Sequence, residues 1–349
     1  MRFHFTVCAI FSGCKKDSRV EDLAQSIEGY MGCQQYVPGS DARPTGNLMP
    51  DDDPDEECVL DNEPIDAGNT NVRVFFIRHS DADWRPKIDT MRNQIPGIRP
   101  THKQDAMLTS GGLARAIELR DWIFSDKCNE SIGQCFLAGN PQTAADAKRR
   151  VVFAVSNLRR AIMTALIAFE KRLPGTADDD YLKIRKIHML SSLGEKSSNV
   201  DSQPLTPAGH IPYFSYDSGS CSLNQSNMRR LFQTQCSVDE KPKLHEFCFW
   251  MRKQINVNQP SADMRSKHGE RITDFVIVGH SIWIRKFFNK FHTSNQADET
   301  ASSIKSSFSK LTNTGIVKFE LHLPEDAGCE IVPETTRIIR GEMKTKILG

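Results

Sequence analysis

Three apolar runs in this chain each end in cationic or imidazole side chains. Val72, Val74, Phe75, Phe76 and Ile77 lead straight into Arg78 and His79. Val151 to Val155 lead into Ser156-Asn157-Leu158-Arg159-Arg160, and Phe275 to Val278 lead into Gly279-His280-Ser281. A guanidinium fork matches phosphate oxygens in pairs. An imidazole is both a nucleophile and a proton carrier near neutral pH. Gathered in one place, these groups make a cationic, donor-rich site that suits a phosphoryl group.

Gathering them is a task for the elements that carry them. Each run reads as a buried strand, and in a parallel α/β sheet ligands bind in the crevice at the carboxyl ends of the strands. Leu108-Thr109-Ser110-Gly111-Gly112 reads as a turn capping a helix, with Leu113, Ile117, Trp122 and Ile123 on its apolar face. Ser156 reads as the N-cap of a second helix, in which Leu158, Ala161, Ile162, Ala165 and Leu166 recur at helical spacing. A short strand within Ile184 to Leu190, helices over Leu244 to Ile255 and Ile282 to Phe291, and a last strand over Gly315 to Leu321 complete the pattern. The expected fold is a three-layer α/β/α sandwich around a mainly parallel sheet.

Composition sets the outer limits. Of the 349 residues, 1–70 carry 5 Lys/Arg and 14 Asp/Glu (−9), against 40 and 30 in the rest (+10). The run Asp51-Asp52-Asp53-Pro54-Asp55-Glu56-Glu57 lies in that acidic part, which reads as a disordered leader. The catalytic domain is expected over 71–323, with a Ser/Gln/Asn/Pro-rich insertion or lid near 202–238 and a polar tail over 324–349. A basic body suits anionic substrates; no nucleic-acid partner and no cofactor are expected. The ten cysteines contain no CxxC pair and no zinc-like spacing, so reduced thiols and a cytoplasmic location are expected. No run of 18 apolar residues exists. Membrane association is expected only if translation starts at Met31, which would expose Gly32-Cys33 for dual acylation.

The motifs together resemble those of the histidine phosphatase superfamily, the phosphoglycerate-mutase-like group. Arg78-His79-Ser80-Asp81 resembles the family's R-H-G-E signature, and Ser156-Asn157-Leu158-Arg159-Arg160-Ala161-Ile162-Met163-Thr164-Ala165 its S-x-L-x-R-A-x-x-T-A segment. Val278-Gly279-His280-Ser281 is similar to the second-histidine motif. Leu108-Thr109 to Gly112 resembles the L-T-x-x-G turn, and Leu311-Thr312-Asn313-Thr314-Gly315 fits the C-terminal end. The match runs in order from about Val72 to Leu321. A lone Arg-His pair carries no weight, whereas four ordered motifs at element junctions do.

The resemblance implies a phosphatase with a phosphohistidine intermediate on His79. Arg78, Arg160 and a protonated His280 would hold the phosphoryl group, with no metal. By resemblance, Leu193-Gly194-Glu195 carries the general acid, Glu195; Asp83 is the rival. Arg159 reads as a solvated neighbour of Arg160, and Trp283 as packing. Two positions depart from the family: Ser80 stands where glycine is usual, and Arg85 where mutase-like members often have Asn. Arg85 would add charge at the rim and favour a more anionic substrate. The alternatives are a phosphoglycerate-mutase-type phosphotransferase, and an inactive module that binds a phosphorylated partner.

Overall fold

The computed structural model describes residues 70–82, 104–128, 137, 150–174, 184–195, 202–206, 210–211, 216–217, 222–235, 244–258, 273–292, 299–306, 309–324 and 328–345. All belong to one compact unit, Ile65–Gly349. The acidic leader and Gly32-Cys33 lie outside the described residues.

The strands in chain order are β1 (Thr70–Arg78), β2 (Arg150–Ser156), β3 (Ile187–Leu190), β4 (Tyr216–Asp217), β5 (Ser222–Leu223), β6 (Phe232–Gln235), β7 (Thr273–Gly279), β8 (Ser309–Leu311), β9 (Ile316–Leu323), β10 (Glu330–Ile331), β11 (Arg337–Arg340) and β12 (Met343–Thr345). The helices are α1 (Ser110–Ile123), α2 (Arg159–Ala168), α3 (Gln225–Leu231), α4 (Leu244–Asn258), α5 (Ser281–Phe291) and α6 (Glu299–Lys305). The main sheet runs β10-β9-β1-β7-β2-β3-β6, with β11 also on β9. Strands β1, β7, β2, β3 and β6 are mutually parallel. β9 is antiparallel to β1.

Strand alternation makes the three layers. Successive side chains on β1 point to opposite faces. Phase one, Phe75 and Ile77, packs with Leu119 and Ile123 of α1 and Ala161, Ile162 and Ala165 of α2. Phase two, Val72, Val74 and Phe76, packs with Phe247 and Trp250 of α4 and Trp283 and Phe287 of α5. The second face is aromatic. Trp283 stacks on Phe76 and on Phe287, and Phe247 meets Trp283 edge-on. Arg73 on β1 forms a fork with the buried Asp274 opposite it on β7, Nε to Oδ1 at 2.8 Å and Nη2 to Oδ2 at 2.7 Å. A register slip would leave that carboxylate buried without its partner, so the pair pins the two central strands.

Four expectations need correction. Within the stretch expected as a polar tail, β10 and β11 pair with β9, and β12 pairs with β8. Ile331 is fully buried there, which a polar composition conceals. The 202–238 stretch contributes α3 and then β6, which joins the main sheet beside β3. Ser156 is the last residue of β2, not a helix cap; Leu158 holds the N-cap position of α2. The cysteines are not all reduced. Cys248 of α4 and Cys329, just before β10, form a disulfide across 81 residues of sequence, and buried Cys128 is free. Spacing gave no sign of this pair, because it depends on α4 and the end of the chain meeting on one sheet face. Among the described residues no helix is long and apolar enough to cross a membrane.

The aromatic layer yields a stability test. Phe287 is fully buried and touches Phe247, Trp283, Phe291 and Phe319. Phe287→Ala is expected to cost about 3–5 kcal/mol in denaturant unfolding. A loss under about 1 kcal/mol would mean that this cluster is not part of the core.

Candidate active site

Parallel pairing aligns the carboxyl ends of three strands. The register sets Arg78 beside Gly279, and Val155 beside Val278. The residues following these strands therefore emerge together: His79 after β1, Ser156 ending β2, and His280 after β7. Arg160 projects from the first turn of α2, and Glu195 follows the 3₁₀ turn Ser191–Leu193 after β3. The rings of His79 and His280 lie 4.9 Å apart between centroids. Glu195 Oε2 sits 3.2 Å from His280 Nδ1 and 3.7 Å from Arg160 Nη2. Arg78, His79, Arg160, Glu195 and His280 thus share one largely buried cluster. Asp83 and Arg85 lie outside the described residues.

Each group is held from behind. His79 N donates to Gly279 O at 2.9 Å, and its Nδ1 lies 2.5 Å from Ser80 O. A carbonyl can only accept, so Nδ1 carries the proton and Nε2 keeps its lone pair. Ser80 is accommodated through its hydroxyl, which donates to Gly112 O at 2.6 Å, while its N–H donates to Thr164 Oγ1 at 3.0 Å. Thr109 caps α1 by accepting from Gly112 N at 2.9 Å, and its own N–H donates to Asp81 O at 3.1 Å. A Cβ on Gly112 would fall 2.0 Å from Asp81 O, so only glycine lets α1 approach the loop after His79. Asp81 also meets Asn313 and Arg115 through its carboxylate. Trp283 Nε1 donates to Ser192 O at 2.7 Å, tying the aromatic core to the turn that presents Glu195.

Two residues have partners that the sequence did not disclose. Ser156 Oγ lies 2.8 Å from His280 Nε2. With Glu195 at the other nitrogen, His280 is gripped at both ends. Arg159 is not simply solvated: its N–H donates to Asp105 Oδ1 at 2.8 Å, and its Nε and Nη2 donate to Asp105 O at 2.9 and 2.7 Å. Asp105 in turn accepts from Leu205 N at 3.1 Å. Sequence could not pair residues so far apart in the chain.

Burial and crowded positive charge set the protonation states. Burial pushes His79 well below its usual value, and Arg160, His280 and Arg78 push it further. Burial also lowers His280, opposed by Glu195 and aided by Arg160 and Arg78. Both shifts favour the neutral imidazole in the free protein, without a bound phosphoryl group. Burial brings Arg78 down to about 10, leaving it charged. Burial would raise Glu195, but His280, Arg160 and Lys310 outweigh it and hold the carboxyl at about 2. His79, Glu195 and His280 also offer three ligand atoms within 4.8 Å of one another. Two buried guanidinium groups beside them disfavour a dication and favour an anion.

No protein-family model matches the chain, and no curated relative does. Solved structures to which it is similar include mycobacterial glucosyl-3-phosphoglycerate phosphatase, at 13% identity over 75% of this chain and 97% of that one, with a TM-score of 0.34. The protein histidine phosphatase SixA complexed with tungstate matches at 9% identity over 77% and 97%, with a TM-score of 0.32. Ecdysone phosphate phosphatase from Bombix mori, in complex with tungstate, matches at 12% over 79% and 97%, with a TM-score of 0.33.

The protonation states fix a pH dependence. A histidine whose folded pKa lies below its unfolded value binds fewer protons when folded. Its contribution to stability is therefore full above about pH 6.5 and is lost as pH falls below it. Glu195, depressed from 4.5 to about 2, contributes roughly 3 kcal/mol that is present above pH 4.5 and lost as pH falls toward 2. Denaturant midpoints for wild type should drop between pH 7 and pH 5, and His79→Gln should flatten that drop. Parallel pH curves for the two proteins would contradict a neutral, buried His79.

Proposed function

We propose that this protein is a phosphatase that hydrolyses phosphate monoesters through a phosphohistidine on His79. The observation carrying this reading is the His79 ring: proton on Nδ1, lone pair on Nε2, among two arginines, a second histidine and a carboxylate. An anionic phosphoryl group needs positioning and charge stabilisation more than any other help. Arg78 and Arg160 supply fixed positive charge, and His280 supplies a further donor once protonated.

In the first step His79 Nε2 attacks phosphorus and the ester P–O bond breaks. The departing alkoxide takes a proton from Glu195. In the second, Glu195 removes a proton from water, the water oxygen bonds to phosphorus, and the P–N bond breaks. Neutral His79 and inorganic phosphate result. Glu195 is ionised in the free protein, so it must gain its proton on substrate binding. A phosphoryl group pairing with Arg160 and His280 removes the partners that hold Glu195 ionised and adds negative charge beside it. A substrate arriving as its monoanion brings the needed proton. No metal enters these steps.

Two measurements test the reading. Hydrolysis of p-nitrophenyl phosphate in EDTA should survive in wild type and fall at least about 10³-fold in His79→Ala. Absence of turnover by folded wild type would sink the proposal. Glu195→Gln should cost an alkyl phosphate about 10²–10⁴-fold in kcat and p-nitrophenyl phosphate much less, because p-nitrophenolate leaves without a proton. Equal losses on both esters would remove Glu195 from the acid role.

A further inference from the structure

We infer that Arg340, near the end of the chain, is a positioning residue for Arg78, acting through the turn Leu311–Gly315. The inference rests on the reading of Arg78 as a phosphoryl-binding group. Arg78 is tied to that turn at three points. Its Nη1 donates to Leu311 O, its N–H donates to Gly315 O at 3.0 Å, and its carbonyl accepts from Thr314 N at 3.1 Å. The turn therefore sets both the backbone and the guanidinium of Arg78.

The turn does not hold this shape for free. Thr314 is buried with φ at 57°, a left-handed conformation that a β-branched residue seldom adopts. Something must over-determine it, and the C-terminal segment does. Arg340 Nη1 donates to Thr314 O at 2.8 Å and to Thr314 Oγ1 at 2.6 Å. Two residues on, Glu342 O accepts from Thr312 N at 2.9 Å, and Glu342 N donates to Thr312 Oγ1 at 3.1 Å. Between them Gly341 has φ at 81°, and a Cβ there would lie 2.3 Å from Thr312 Oγ1. Glycine is required for so close an approach. The pairing of β11 with β9 shifts register between Ile338 and Arg340, with Ile339 as the extra residue, and so sets Arg340 opposite Ile316, the residue that follows the turn. Arg340 also lies over the Trp122 ring, 6.0 Å from its centroid, at the end of α1. The segment thus clamps the turn from both sides, and the turn aims Arg78.

A double-mutant cycle separates positioning from mere stability. Affinity for inorganic phosphate is measured by calorimetry on wild type, Arg340→Met, Arg78→Ala and the double variant. Arg340→Met should weaken phosphate binding about tenfold in wild type and scarcely at all once Arg78 is alanine, the coupling expected of residues acting as one unit. Adding Thr314→Gly to Arg340→Met should recover part of the loss, because glycine adopts the left-handed turn without the clamp. Arg340→Lys, which keeps a charged donor, should lose less than Arg340→Met. Equal losses in both backgrounds, or no loss in wild type, would overturn the inference while leaving the phosphate site standing. A wild type that binds no phosphate would remove both. If Arg340→Met does not fold, Arg340→Gln carries the same cycle.

Discussion

Two guanidinium groups and two imidazoles cannot share a buried pocket without a counter-charge, and the carboxylate of Glu195 supplies it. Glu195 sits within ion-pair distance of both His280 and Arg160. The arrangement is a buried cationic cluster whose counter-charge is a single carboxylate, and under the proposed function a bound phosphoryl group would compete with that carboxylate for the same partners. The same logic keeps the imidazoles neutral: burial disfavours their cations, and the arginines repel them.

Such a cluster needs a frame that cannot relax away from it. The frame is the parallel register of β1, β7 and β2, pinned by the buried Arg73–Asp274 fork. Behind it, the aromatic layer of α4 and α5 reaches the site through Trp283, whose indole N–H holds the turn before Glu195. On the other face, α1 is pressed against the loop after His79 at Gly112. Packing on each face therefore ends in a hydrogen bond to a site element. The frame also satisfies Ser80, whose hydroxyl donates to Gly112 O.

The sequence by itself disclosed strands β1, β2, β3, β7 and β9 and the cationic and imidazole residues that follow β1, β2 and β7, with Glu195 coming from the resemblance alone. Those signals are local: an apolar run and a motif at its end. Strands alternating with helical patterns implied a parallel sheet covered on both faces, hence three layers. What the sequence concealed depended on distant segments meeting. Ser156 looked like a helix cap because Ser-x-x before an apolar helix is a capping pattern; only the sheet brings it against His280, 124 residues away. Residues 330–345 looked like a tail because short, polar, edge-forming strands have no periodicity to read, yet β9 offers them an edge. Cys248 and Cys329 pair for the same reason. Protonation, finally, is a property of the assembled site. No residue type carries its pKa with it, and the neutral His280 and ionised Glu195 follow from burial and neighbours that only the tertiary structure supplies.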